Sequence, residues 1–317
     1  MATAATVMLA GAVFCDARMG RTGYLPHATP FDVMLGQADT PFQYRLLVPK
    51  LTYFVVTLVP SLISETRLCL GVAEWLFFVA AFACVHRLPR HLAPGSVVAP
   101  SRVVLGLLAV PFAYLVLPPF RPFYNACDTP SVFFLIACVL ALVAERRALF
   151  AVLFLVGTLN RETTLVVLVA WALAAYRGGT LRRDGLVLAS CAAGFVALKV
   201  ALLLAYADNH GAGLFQTRHD IGEHALHAIT NLGMLVSFPR GAWFAVLVLA
   251  PLALSLLLRR YVAHPVLLAC VDVAPLVVTL LCVVGNADEL RMFADVMALV
   301  LLSIATSRER SPSTAWS

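Results

Sequence analysis

The sequence predicts an all-α protein, a polytopic transmembrane helical bundle of roughly 9–11 membrane segments. Three observations carry that expectation. Of 317 residues, 61% are hydrophobic and 13% charged, and the mean hydropathy is +0.90. Apolar runs recur along the whole chain, and arginine clusters punctuate them at intervals that fit alternating sides of a bilayer. A soluble domain carries roughly a quarter charged residues, so this chain could not cover a soluble globule with polar surface. A soluble enzyme, a disordered chain and a disulfide-stapled secreted fold are excluded on the same ground.

The apolar segments read as 3–15, 46–63, 67–86, 103–118, 130–144, 148–159, 163–176, 185–206, 241–258, 265–285 and 292–306. The first, Ala2 to Cys15, lacks a basic flank and makes a poor signal peptide; either it is a short first helix or the chain begins late. Segment 46–63 has Pro49 and Pro60 near its ends and Arg45 and Lys50 at its start, which suits an interfacial helix with the preceding loop outside. Arg18 and Arg21 point weakly the other way. In 145–183 both ends are basic, while Asn160-Arg161-Glu162 interrupts the middle. A hairpin with that tip near the outer face is expected, its arms reaching only ~18–21 Å. One transmembrane domain, 1–317, is expected, with a first outer loop at about 16–66 and another at about 207–240.

The formal charge is +6. Placing Arg87/Arg90/Arg102, Arg146/Arg147, Arg177/Arg182/Arg183, Arg259/Arg260 and Arg308/Arg310 in the cytoplasm gives that face 12 basic residues against three acids. The basic surplus is thus a topology signal and not a mark of nucleic-acid binding. The eight cysteines are scattered without a CxxC pair and read as small core residues.

Ionisable groups in or beside a bilayer are costly and face a cavity by default. Here they gather on the outer side. The first loop offers Asp16, Asp32, Asp39, Tyr44 and Arg45, and the next outer loop Arg121, Tyr124, Asn125 and Asp128. The hairpin tip gives Arg161 and Glu162, the following long segment Lys199, and the start of the last segment Asp288, Glu289, Arg291 and Asp295. Carboxylates can take a proton from an acceptor hydroxyl, and Arg or Lys can hold a departing phosphate. Each residue also has a plain structural role open to it. Asp16 fits a segment boundary, Asp128 a helix N-cap, Arg161-Glu162 an internal pair, and Arg291/Asp295 an i,i+4 pair. Lys199 fits a snorkelling side chain and Arg45 an interfacial anchor. Glu74 and Asp272 sit alone in apolar segments, with partners that the sequence does not name.

Four motifs occur in order: Gln43-Tyr44-Arg45-Leu46-Leu47-Val48-Pro49, Cys127-Asp128-Thr129-Pro130-Ser131-Val132-Phe133-Phe134, Leu159-Asn160-Arg161-Glu162-Thr163 and Glu289-Leu290-Arg291-Met292-Phe293. Together they resemble bacterial integral-membrane proteins related to the GT-C superfamily of glycosyltransferases. The resemblance implies a large first outer loop with juxtamembrane helices and an active site at the outer leaflet of the bacterial inner membrane. It further implies a polyprenyl-phosphate-sugar donor, a lipid or envelope-glycan acceptor, and a catalytic Asp in the first loop. The first loop has no Asp-x-Asp pair like that of better-known members, no obvious C-terminal periplasmic domain is expected, and the base stays open among Asp16, Asp32 and Asp128. Tyr44, Arg45, Tyr124, Arg161, Glu162, Lys199, Glu289 and Arg291 are the expected substrate-binding residues. No metal ligand set is expected, though the acids leave a divalent cation open as a cofactor. The run His219-Asp220-Ile221-Gly222-Glu223-His224-Ala225-Leu226-His227 would share faces if helical, yet matches no zinc signature. Three rival readings remain: a secondary transporter or flippase, a non-catalytic subunit of an envelope assembly complex, and a metal-dependent hydrolase built on residues 219–227.

Overall fold

The computed structural model describes residues 2–21, 23–24, 27–40, 42–92, 111–115, 124–209, 228–262, 264–284 and 290–306. These residues form α1 (Ala2–Arg21), α2 (Pro30–Leu35), α3 (Leu47–Leu58), α4 (Thr66–Arg87), α5 (Asp128–Val143), α6 (Arg147–Asn160) and α7 (Leu165–Arg177). The chain continues through α8 (Leu181–Ala205), α9 (Ala228–Val236), α10 (Arg240–Phe244), α11 (Ala250–Leu258), α12 (Pro265–Val284) and α13 (Ala294–Ala305). A π-helical stretch, Ala245–Leu249, joins α10 to α11, and the Tyr114 hydroxyl donates to the Leu247 carbonyl there.

The chain is an all-α bundle in which four helices are long and apolar enough to cross a membrane: Thr66–Arg87, Leu181–Ala205, Arg240–Tyr261 and Pro265–Val283. Shorter apolar helices include α3, α5 and α6. Two helices are wrapped by the rest. Nearly every residue of α5 and α13 is buried, as expected of helices that are apolar all round. α5 packs on α4, α6 and α13, while α13 also meets α11 and α12. The outer helices leave large apolar side chains uncovered, among them Leu68, Leu76, Leu186, Val196, Leu204, Leu257 and Leu280, where lipid replaces protein as the solvent.

Most apolar segments became helices close to where they were expected, with instructive differences. The first helix runs to Arg21 instead of ending near Cys15, because Arg18 finds buried partners within the bundle and the charge does not stop the helix. Segment 46–63 yields a 12-residue helix, α3, then a 3₁₀ turn at Pro60–Leu62. At ~18 Å, α3 is shorter than a hydrocarbon core, and it buries one face (Val48, Pro49, Thr52, Val56) while exposing Leu51, Phe54 and Leu58. The arms of the interrupted segment, α6 and α7, do not pack along each other's length. α6 lies on α5 and α8, and α7 on α12 and α8. They close at the tip over Gly157, where a Cβ would sit 2.7 Å from Thr164 Cγ2 and 3.1 Å from Phe134. Segment 103–118 lies outside the described residues apart from 111–115.

The first loop is folded. α2 starts with a capping box between Thr29 and Asp32 and ends at Gly36, whose φ of 81° favours a residue without a Cβ. The Gln43 side chain accepts from the Ala38 amide at 2.9 Å and donates to the Val33 carbonyl at 3.2 Å. Lys50 Nζ donates to the Met34 carbonyl at 2.8 Å.

Candidate functional site

At one end of the bundle, five cations and four carboxylates meet: Arg18, Arg45, Arg161, Lys199 and Arg291 with Glu74, Asp128, Glu162 and Asp295. Helix ends bring most of them together. Asp128 opens α5, Arg161 follows the last residue of α6, and Arg291 and Asp295 flank the start of α13. Arg18, Glu74 and Lys199 come from within α1, α4 and α8.

Asp128 is the inner hub. Its Oδ2 lies 3.0 Å from Arg18 NH2 and 3.5 Å from Arg291 NH1, while Oδ1 lies 3.1 Å from Arg161 NH1. Arg18 has no side-chain exposure; its Nε bonds Glu74 Oε1 at 2.9 Å and its NH2 the Asn125 carbonyl at 2.8 Å. The Tyr124 ring stacks under the same guanidinium, 5.2 Å from centroid to Cζ. Arg161 reaches on to Asp295 at 3.6 Å, and Thr163 donates to Asp295 Oδ2 at 2.6 Å. Asn160 fastens the tip to α5 through the Cys127 carbonyl (2.8 Å) and Ser131 Oγ (3.0 Å).

The outer rim is built on the next residue, Glu162. Its Oε2 lies 3.2 Å from Lys199 Nζ and its Oε1 3.9 Å from Arg45 NH2. The Glu162 side chain is 41% exposed, against 11% for each cation. Aromatic faces flank the two cations, with Tyr44 5.8 Å from Lys199 Nζ and Phe42 4.9 Å from Arg45 Cζ. The Leu46 amide donates to the Leu159 carbonyl at 2.9 Å, so the backbone beside Arg45 is tied to the end of α6, three residues before Glu162. The site therefore grades from fully buried pairs around Asp128 to an accessible carboxylate between two cations.

Several buried polar atoms in this network lack a hydrogen-bond partner among the described residues. They are the acceptors Glu74 Oε2, Asn160 Oδ1 and Asp295 Oδ1 and the donors Arg45 Nε and Tyr124 Oη. Buried polar groups are normally satisfied, so these valences are available to water or to a polar ligand.

Of the expected residues, Tyr44, Arg45, Tyr124, Asp128, Arg161, Glu162, Lys199 and Arg291 all belong to this end of the bundle. Asp32 lies apart: its Oδ2 accepts from the amide (2.9 Å) and hydroxyl (2.8 Å) of Thr29 in the cap of its own helix. Asp16 is exposed on α1 and joins none of these pairs. Glu289, Asp288, Arg121 and the 219–227 cluster lie outside the described residues, among which no three His, Cys, Asp or Glu side chains are placed to hold a metal ion. Arg18 and Glu74 are the members that sequence reasoning overlooked as a pair. The usable signal was two opposite lone charges, one near the end of the first apolar run and one inside the third.

The opposite end carries a different charge pattern. Asp184 pairs with Arg147 (2.6 Å) and Arg183 (3.3 Å), and Asp272 pairs with Arg177 and with Arg259. This names the partners of Asp272 and collects the arginines of three of the basic clusters at one face. A cavity of about 140 Å³ lies there, lined by Glu145, Arg147, Arg183, Asp184 and His264. Burial pushes the His264 imidazole below its usual pKa, with Glu145 acting in the other direction.

No family model, curated protein or solved structure matches the chain.

Proposed function

We propose that this protein is a membrane glycosyltransferase that moves a sugar from a polyprenyl-phosphate donor to a lipid or envelope-glycan acceptor. It would act at the outer face of a bacterial inner membrane. The observation that carries the reading is the cluster of five cations and four carboxylates with its accessible rim at Arg45, Glu162 and Lys199. Charges buried this deeply destabilise a bundle unless geometry or function compensates them. A polyprenyl-phosphate sugar presents the matching chemistry. Its phosphate gains a negative charge as the sugar departs, and cations in a low-dielectric site stabilise that developing charge. At the rim, Arg45 Nε, which has no hydrogen-bond partner among the described residues, would donate to a phosphate oxygen. Exposed apolar surface on α3, at Leu51, Phe54 and Leu58, gives the prenyl chain a lipid-facing approach.

Arg45 and Lys199 would hold the phosphate, while Arg161 and Arg291, fixed by Asp128, would keep the inner field positive. The four-motif resemblance points to the same reaction class. The test is purified protein in lipid nanodiscs supplied with polyprenyl-phosphate hexoses and pentoses and a membrane-lipid acceptor. Acceptor-dependent release of polyprenyl phosphate is expected, reduced about tenfold or more in Arg45→Ala and Lys199→Ala. If no donor is turned over, and liposomes containing the protein instead carry an anionic solute across the bilayer, a transporter replaces this reading.

A further inference from the structure

The proposed transfer needs a base to take the acceptor proton, and the geometry separates the available carboxylates. Glu74 has no side-chain exposure, and one of its oxygens is bound by Arg18. Asp128 is equally buried, with both oxygens directed at guanidiniums. Asp295 is 5% exposed and anchored by Thr163 and Arg161. Asp32 caps its own helix, and exposed Asp16 belongs to no part of the cluster. Glu162 alone, among the described carboxylates of the cluster, combines membership with an open face.

Its present partners explain how it could be held in reserve. One oxygen faces Lys199 and the other faces Arg45 at the long distance of 3.9 Å, while Arg45 Nε has no hydrogen-bond partner among the described residues. A carboxylate bridging two cations occupies the place that two non-bridging oxygens of a phosphodiester would fill. When an anion of higher hydrogen-bonding capacity takes those cations, the carboxylate loses its stabilising charges and becomes a better proton acceptor.

We infer that Glu162 is the acceptor-activating base of this site, kept as the counter-ion of Arg45 and Lys199 until the donor phosphate displaces it. The inference rests on the glycosyltransferase reading above. In the step itself, the acceptor oxygen forms a bond to the anomeric carbon as its proton passes to Glu162. The bond from that carbon to the phosphate oxygen breaks, and its electron pair leaves with the phosphate. The product phosphate is thereby a dianion held by Arg45 and Lys199, and Glu162 later returns its proton to water.

The experiment uses the full chain in nanodiscs with farnesyl phosphate as the binding probe. In the first arm, the wild type binds the probe, and Arg45→Ala and Lys199→Ala weaken it; failure here overturns the phosphate-donor reading before any Glu162 variant is made. In the second arm, Glu162→Gln is expected to lose transfer by about 10²–10⁴-fold. It should bind the probe about two- to fivefold more tightly, since an internal competitor worth a modest ion pair is gone. Azide, a nucleophile that needs no deprotonation, is expected to accept the sugar in Glu162→Ala and give the glycosyl azide plus polyprenyl phosphate. Transfer by Glu162→Gln within about threefold of wild type overturns the base assignment. So does loss of transfer together with weaker probe binding, which marks Glu162 as only a spacer for the cations, and so does an absence of glycosyl azide. If the Gln variant unfolds at a lower temperature than wild type, Glu162→Asp keeps the carboxylate. Transfer between the wild-type and Gln rates is then expected, and a rate no better than that of Gln overturns the assignment.

Discussion

The two ends of the bundle use arginine in opposite ways. At the end carrying Asp184 and Asp272, each carboxylate meets two guanidiniums that keep a face open; Arg177 is 45%, Arg259 49%, Arg183 58% and Arg147 29% exposed. Guanidiniums with an open face are screened by solvent ions, and a surplus of positive charge at one end is the pattern that the positive-inside rule reads as orientation. At the other end Arg18, Arg161 and Arg291 are buried among Glu74, Asp128 and Asp295. The two sets of ion pairs therefore have unequal consequences. Screened pairs contribute little to stability and much to topology, whereas buried pairs are strongly coupled and organise a site.

The contrast predicts a graded series of effects on stability, readable by thermal unfolding in detergent or nanodiscs. Arg18→Met strands Glu74 and weakens the hub at Asp128, and is expected to destabilise by about 3–5 kcal/mol. Adding Glu74→Gln to Arg18→Met should recover part of that loss; no recovery would separate the two residues energetically. Gly157→Ala comes next, at about 1–3 kcal/mol, because the new methyl meets Thr164 and Phe134 at the tip. Thr164→Ser, which removes the nearest atom, should relieve much of it. At the opposite end Arg183→Ala is expected to change stability by no more than about 0.5 kcal/mol, fading further with salt. A drop comparable to that of Arg18→Met would erase the contrast. The smallest effect is a pH slope. Because folding lowers the pKa of His264, the unfolded chain binds the extra proton first, and stability falls as pH drops below the ordinary histidine value. Glu145, Arg147, Arg183 and Asp184 surround the same cavity, so the slope is assigned by its loss in His264→Gln.

The sequence makes the helices legible because apolar runs need no long-range information. The Asn160-Arg161-Glu162 interruption was equally readable, since polar residues in the middle of a short apolar segment must end a helix or line a site. Side-chain partners were less accessible. Arg291 and Asp295 stand i,i+4 apart and invite a local pair, yet Arg291 lies 3.5 Å from Asp128, and Asp295 is held by Thr163 and Arg161. Arg18 read as a weak topology signal because its helix was expected to stop before it. Its partners Glu74 and Asp128 lie 56 and 110 positions away, and no periodicity in one chain specifies such a meeting. Asp32 illustrates the reverse: a carboxylate singled out for chemistry sits in a Thr29–Asp32 capping box that the spacing alone already spelled out.

Asn209, just beyond α8, donates from its side-chain amide to the carbonyls of Gly36 (3.0 Å) and Ala38 (2.8 Å). Lys199 precedes it by ten positions on the α8 side, and Arg45 follows Ala38 by seven on the loop side. The two rim cations thus stand on backbones stapled together behind them, like the jaws of a caliper set by a screw that is not part of the measurement. A ligand bridging them would have less spreading motion to suppress, so less conformational entropy would be lost on binding. Asn209→Ala should loosen the jaws and weaken capture of any bridging anion while leaving every charge in place.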